Sequence, residues 1–337
     1  MAAYLGRPDS VDIAQLVDEV GEEVLLRSAA SEGVRGLVAY VVTNSLGSKA
    51  APKCLQAFQE EFARNGIYVG EMMRLDEALA ERGMQAIILK GGALLHHGYA
   101  QMGVRFLSDI DVMVRQQELP PMRDLLEDLG FQSGDGINFR RDMLAIDLHY
   151  EPIKRLATAF VFSIDDLWNN SLPLDPNRYQ ALRRLGPYDQ FLHHAIHGLG
   201  HAYYRMSWLV DLAVAIDHLD PHRLWQRAQE THSERALSYA LSLVRDLFGV
   251  PLPPALESRL CRPNRWERWF LARVKERGHP ETIGKVIAVF SIRNWLMRAV
   301  HLWRIGRPQA GASWKQRLKE LYSMLTRVWA VYRSTPS

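Results

Sequence analysis

Residues 85–114 read QAIILKGGALLHHGYAQMGVRFLSDIDVMV, and no other stretch restricts the fold as much. Residues 86–89 form a short apolar run, the pattern of a buried strand, and the run stops at Lys90-Gly91-Gly92. The residues that follow predict a helix, so the glycine pair lies where a strand gives way to a helix and backbone can come close to a ligand. The first N–H groups of such a helix lack partners and sit at the positive end of its dipole, which makes an anion cradle. Lys90 adds a mobile positive charge, and Arg105 adds a planar fork suited to phosphate. Residues 108–114, SDIDVMV, alternate and are rich in apolar residues, which predicts a strand. Asp109 and Asp111 then share one face, roughly 7 Å apart at the backbone, while Ile110 and Val112 turn to the core.

Two carboxylates on one face repel each other unless a cation lies between them, and hard oxygen ligands suit Mg²⁺ or Mn²⁺. A second alternating stretch, Ala145-Ile146-Asp147-Leu148-His149-Tyr150, places Asp147 and His149 together on one face. Alone, a Gly-Gly is usually a turn and an Asp-x-Asp is usually solvated surface. In this order, facing a phosphate cradle, Asp109, Asp111 and Asp147 compose a two-metal site for in-line attack on phosphorus. Neither Asp109 nor Asp111 has an obvious cationic partner in sequence, so Asn at either position is expected to cost little folding stability. Val at Gly92 is expected to obstruct the approach of phosphate.

The pattern Leu89-Lys90-Gly91-Gly92, Arg105, Asp109-x-Asp111 and Asp147-x-His149 resembles the nucleotidyltransferase superfamily, whose fold is shared with DNA polymerase beta. Within it, the chain is similar to a bacterial nucleotidyltransferase family that reads LKG…R…DIDxxV…DLHW, with Tyr150 here where Trp is usual. The resemblance extends through flanking helices, residues 188–217 included. Similar glycine and aspartate pieces occur in aminoglycoside nucleotidyltransferases and in abortive-infection toxins that modify tRNA. The chain departs from the commonest superfamily pattern, which has Gly-Ser and a shorter spacer before the first aspartate.

The resemblance implies an α+β fold: a polymerase beta-like core with a mixed sheet, flanked by N-terminal helices and a C-terminal helical domain. It also implies metal-dependent transfer of an NMP from an NTP, ATP among the candidates, to a hydroxyl of a small-molecule or peptide/protein acceptor, with release of pyrophosphate. Lys90, Gly91 and Gly92 would hold the triphosphate with help from Arg105 and Ser108. Asp109, Asp111 and Asp147 would bind Mg²⁺ or Mn²⁺. His149 would contact the acceptor or a phosphate, or be structural. Two other readings stay open, a tRNA-modifying nucleotidyltransferase toxin and a non-catalytic nucleotide-binding interaction protein.

With 337 residues, 47% hydrophobic and 23% charged, the chain can bury a large core divided among several units. Three regions are expected: helices over 1–65, the transferase core over 66–155, and a helical domain over 156–337. Ser10 is a plausible cap for the first helix. Residues 52–82 predict a long helix with Tyr68, Met72, Leu75 and Leu79 on the face that packs on the sheet. A helix over 120–129 leads to a hairpin whose turn includes Ser133-Gly134-Asp135-Gly136. From about residue 160 the pattern reads as helical. The helix starting near Gly186 carries His193, His194, His197 and His201. Their four-residue spacings invite zinc, but no Glu sits where a zinc protease needs one. They read as core or surface histidines, with His197 an alternative wall of the active site and Asp211 an alternative orienting group. Cys54 and Cys261 lie far apart without zinc-site spacing, which fits a reducing compartment. The N-terminus carries charges where a signal peptide would be apolar, so a cytoplasmic location is expected.

The end of the chain is strongly basic. Over residues 285–337, arginines and lysines from Lys285 to Arg333 face a single acid, Glu320, with Trp295, Trp303, Trp314 and Trp329 interleaved. Such a segment can hold RNA by phosphate contacts and stacking, lie on an anionic membrane, bind an acidic partner, or bury its tryptophans in a helical core. If it holds tRNA, binding should fall by about one power of salt concentration per phosphate contact. The expected outcome of a gel shift with bulk tRNA across a salt series, followed by labelling, is weak binding and no label in the tRNA. Tight, salt-sensitive binding with label incorporated would assign tRNA as the acceptor.

Overall fold

The structure, a computed structural model, describes residues 12–153 and 160–276; Ser10 and the basic segment 285–337 lie outside them. Four helices come first: α1 (Ile13–Val20), α2 (Glu22–Ser31), α3 (Arg35–Leu46) and α4 (Pro52–Glu81). The Asp12 carboxylate caps α1 by accepting from the Ala14 and Gln15 N–H groups. Gly21, at φ +81°, separates α1 from α2, so the first helical stretch is two short helices. Pro52 stands at the start of α4, where its missing N–H has no cost.

The sheet has six strands: β1 (Ala86–Ile88), β2 (Ile110–Met113), β3 (Asn138–Arg141), β4 (Leu144–His149), β5 (Leu172–Pro173) and β6 (Leu182–Arg184), in the order β3-β4-β2-β1-β6-β5. It is mixed. β1 runs antiparallel to β2 and parallel to β6, and β2 runs parallel to β4. Strand alternation divides its two faces. Ala86, Ile88, Ile110, Val112, Ile146 and Leu148 share a core with Tyr68, Met72, Leu75 and Leu79 of α4. That cluster also takes in α5 (Lys90–His97) through Ala93 and α6 (Leu119–Asp128) through Met122, Leu125 and Leu126. On the other face, Ile87 and Met113 meet Leu167 and Trp168 of α7 (Ile164–Asn169).

Two expectations change here. The Ser133–Gly136 loop does fold back, so that Gln132 bridges Arg140. The hairpin that ends in the strand of Asp147, however, turns at Asp142-Met143, with Asp142 at φ +51° and Arg141 paired with Leu144. Asp tolerates the left-handed region, so a two-residue turn needs no glycine there. Nor is the chain past residue 160 all helical, because β5 and β6 extend the sheet beyond residue 155. The sequence of β6, Leu-Arg-Arg, has no β-branched residue, and its support comes from elsewhere. The buried Asp76 carboxylate of α4 accepts from the Gln180, Ala181 and Leu182 N–H groups at 2.9, 2.8 and 2.8 Å.

The remaining helices, α8 (Pro187–Gly200), α9 (Met206–Ala215), α10 (Pro221–Glu230), α11 (Glu234–Phe248), α12 (Pro254–Glu257) and α13 (Arg265–Lys275), enclose a second core. A smaller cluster of Leu37, Val104, Val210 and Val214 joins α3 to α9 through the loop before β2. Among the described residues no helix is long and apolar enough to cross a membrane.

Asp76→Ala would leave three backbone donors of the β6 entry without their acceptor. Hydrogen bonds to a charged group are worth about 1.5–3 kcal/mol each and add incompletely, so a loss of about 3 kcal/mol in urea unfolding is expected. A loss below about 1 kcal/mol would show that water replaces the carboxylate.

Candidate active site

β2 and β4 are parallel and in register, with Asp111 opposite Asp147 and Met113 opposite His149. With Ile110, Val112, Ile146 and Leu148 committed to the α4 side, the side chains of Asp111, Asp147 and His149 emerge together on the other face. Their ligand atoms lie within 4.8 Å of one another. Asp111 is 4% exposed and sits at the centre of the group. Its Oδ1 accepts from Lys90 Nζ at 2.5 Å and from His149 Nε2 at 2.8 Å. His149 therefore carries its proton on Nε2, and its buried Nδ1 has no partner.

Chain geometry delivers Lys90 to this point. The Leu89 N–H donates to Asp111 O at 2.9 Å, extending the β1–β2 ladder by one bond, and Lys90 then turns into α5 at φ +50°. Burial pulls the Lys90 pKa down, but the Asp111 carboxylate more than offsets it and raises the value. Burial likewise pushes Asp111 up, and the Lys90 and His149 contacts outweigh it, holding Asp111 below the usual carboxylate range.

Asp109 lies one residue before β2, half-buried, and stands outside the close trio. Ser108, exposed, donates from its hydroxyl to Asp109 Oδ1 at 2.9 Å. Burial, followed by repulsion from Asp111, raises the Asp109 pKa. The loop that carries both residues is pinned by α4: Asn65 Nδ2 donates to Met102 O and Arg105 O, and the Tyr68 hydroxyl donates to Ser108 O.

Lys90, Ser108, Asp109, Asp111 and Asp147 line a cleft of about 240 Å³ together with Gly91, Arg105, Arg205 and, on its far wall, His194, His197, His201 and Trp208. His197 stands against Trp208 at 5.1 Å between ring centroids, with His201 at 4.8 Å. Thus the structure places His197 on the wall of the site. His193 and His194 each spend one nitrogen on a backbone carbonyl, of Pro152 and Gln190. Burial lowers the pKa of all three, His193 to about 3, so they are neutral imidazoles near neutral pH.

Three expectations from sequence are corrected. Asp111 does have a cationic partner, Lys90, twenty-one residues earlier, so its removal is expected to touch stability. The Arg105 fork is already committed: Nε and Nη2 donate to the two oxygens of Asp211 at 2.8 and 2.9 Å, and Nη1 donates to Phe106 O. Asp211, on α9, also accepts from the Tyr99 hydroxyl at 2.5 Å. Gly92 faces inward, where a Cβ would lie 2.8 Å from Ile88 Cγ2; at Gly91, which borders the cleft, a Cβ would lie 2.7 Å from Leu107 Cδ2. Both glycines let α5 seat against its neighbours, and Gly92 does so on the core side. The role of Asp211 had no local signal, because it rests on a pairing across 106 residues.

The cleft thus sets a carboxylate pair on in-register parallel strands beside the first turn of α5. The chain belongs to the family described as uncharacterised nucleotidyltransferase, whose family model matches residues 18–249. It is thus an enzyme that transfers nucleotidyl groups, and the matched span contains all six strands of the sheet. No curated protein and no solved structure matches the chain.

Asp111→Asn would strand the Lys90 ammonium in a largely buried position. The expected result is a loss of about 3 kcal/mol in urea unfolding, the scale for breaking a buried pair, together with a fall in the Lys90 pKa followed by NMR. Unchanged stability and an unchanged Lys90 titration would mean that the pair contributes nothing.

Proposed function

We propose that this cleft moves an NMP from an NTP to a hydroxyl of a small-molecule or peptide/protein acceptor, releasing pyrophosphate, with a divalent metal held at Asp111 and Asp147. The observation that carries the reading is a charge imbalance. Asp109, Asp111, Asp147 and Asp211 line one cleft against Lys90, Arg105 and Arg205, one negative charge in excess; Lys90 pairs with Asp111 and Arg105 is neutralised by Asp211. Lys90 on Asp111 is itself a stand-in cation. The Asp147 carboxylate makes no hydrogen bond among the described residues, which leaves its oxygens free to act as ligands.

Two carboxylates and an imidazole fit Mg²⁺ through oxygen and suit Mn²⁺ at least as well because of His149. When bound, the metal supplies charge neutralisation and orientation at the phosphorus centre. His149 orients Asp111 through the Nε2 bond, a supporting role alongside any direct ligation. Asp109 adds a third carboxylate at the cleft edge, with Ser108 holding it. Lys90 and the backbone at Gly91 supply positive potential for the triphosphate, while Arg105 acts by shaping the wall. The mixed sheet with α4, α5 and α6 on one face is compatible with the polymerase beta-like core that the sequence resembles. We take that core to run through β6, and we place the reaction in the cytoplasm, where NTP and Mg²⁺ are supplied.

Pure protein incubated with each α-labelled NTP, Mg²⁺ or Mn²⁺ and fractionated lysate should label an acceptor and release pyrophosphate. Asp147→Asn should lower that rate at least about a hundredfold, the scale for removing one group that stabilises transferred charge. Equal labelling by the variant and the wild type would remove Asp147 from the chemistry.

A further inference from the structure

Beside the cleft lies a second cavity of about 280 Å³, framed by α5, the end of β6, α8 and α9. Leu94, Phe191, Leu212 and Val214 make much of its wall apolar, and it shares His194 and Asp211 with the cleft. One lining group does not fit an apolar cavity. Arg184, the last residue of β6, is half-buried, its Nε is fully buried, and its guanidinium has no hydrogen-bond or ion-pair partner among the described residues.

Several other arginines are partnered. Arg105, Arg141, Arg227 and Arg235 each meet a carboxylate, and the neighbouring Arg183 forks onto Ser171 through its hydroxyl and its carbonyl, both at 2.7 Å. A guanidinium cannot shed its charge to escape burial, so an unpartnered one is costly unless something meets it. Burial alone depresses the Arg184 pKa, with no carboxylate to counter it, and its charge helps depress that of His97 on the same wall. Two acceptors on this wall are also unmet. Gln190 Oε1 is buried without a partner, and so is His194 Nε2, in a residue only 3% exposed whose Nδ1 proton is spent on Gln190 O. A neutral imidazole bonded this way offers a lone pair at Nε2.

The geometry points to a binding site for a small apolar molecule that carries one oxyanion, carboxylate or phosphate, with Arg184 as its counter-ion and the unmet acceptors of Gln190 and His194 available to a hydroxyl or amide donor. Arg184 is paired in register with Ile88, two residues before Lys90, so this site and the carboxylates occupy the same end of the sheet. The occupant is therefore assigned as the acceptor, its oxyanion held on Arg184. That assignment of role rests on the transferase reading above; the binding site itself does not.

Calorimetry on the full chain with octanoate, octyl phosphate and octanamide, below their micelle concentrations, tests the site. At least one anionic probe should bind in preference to the amide, and which one does so distinguishes carboxylate from phosphate. Arg184→Met keeps an apolar stem and should cost at least about tenfold in affinity for that probe and abolish its preference over the amide, while Mg²⁺-ATP affinity stays unchanged. Arg184→Lys retains the charge and should retain part of the preference, which guards against a folding defect in the Met variant. No anionic probe binding better than the amide, or equal affinity in wild type and Arg184→Met, overturns the site. For the role, Arg184→Met should raise the KM for the labelled lysate fraction while kcat stays near wild type; an unchanged KM overturns the acceptor assignment and leaves the binding result standing. Absence of any labelled acceptor with the wild-type protein would defeat the transferase reading without touching the calorimetry.

Discussion

The buried contact of Lys90 and His149 with a single oxygen of Asp111 is the interaction on which the site depends. A carboxylate 4% exposed in a sheet stays ionised only when its charge is met nearby. Here a lysine leaving β1 and a histidine on β4 both converge on β2, so three adjacent strands are tied by one charge. The antiparallel β1–β2 pairing and the parallel β2–β4 pairing are both required. A change in either register would turn Asp111 or its partners into the apolar core formed by α4.

Around that charge, polar groups of α4 set the frame. Asn65, Tyr68 and Asp76 are buried on a helix whose other buried positions are largely apolar, and each bonds to backbone rather than to side chains. Asn65 and Tyr68 fix the loop that delivers Asp109, and Asp76 fixes the entry to β6. One helix thus determines both where the carboxylates begin and where Arg184 ends. Met72, Leu75 and Leu79 do no more than pack on the sheet, whereas the polar residues of α4 hold backbone in place.

What could be read from the sequence was what short-range periodicity encodes. The alternation of Ile110, Asp111, Val112 and of Ile146, Asp147, Leu148 placed apolar and acidic groups on opposite faces, and the spacing of Tyr68, Met72, Leu75 and Leu79 placed α4 on the sheet. Local pattern could not say that Lys90 turns onto Asp111, since the direction of a long flexible side chain depends on the left-handed backbone at its own position. It could not show Arg105 spent on Asp211, and so a fork suited to phosphate read as a phosphate ligand. β6 went unseen because three residues with two arginines carry no strand signal, and its order comes from Asp76 a hundred residues away. Gly92 carried a true signal of close approach, but the approaching atom is Ile88 rather than a ligand.

Two arginines at one end of the sheet now have opposite fates, and the difference follows from what packs against each. Arg105 meets Asp211 because α9 presents that carboxylate to the loop before β2, and a buried fork-to-fork pair repays desolvation only with such geometry. Asp211 borders both cavities, yet its two oxygens are spent on Arg105 and Tyr99, so it offers Arg184 no counter-charge. The pair therefore does two things at once. It neutralises one positive charge of the cleft, leaving Lys90 and Arg205 beside Asp109, Asp111 and Asp147, and it leaves the neighbouring cavity with a guanidinium that has no side-chain partner among the described residues. One carboxylate of α9 thus sets the charge available in both spaces, by what it neutralises in the first and by what it withholds from the second.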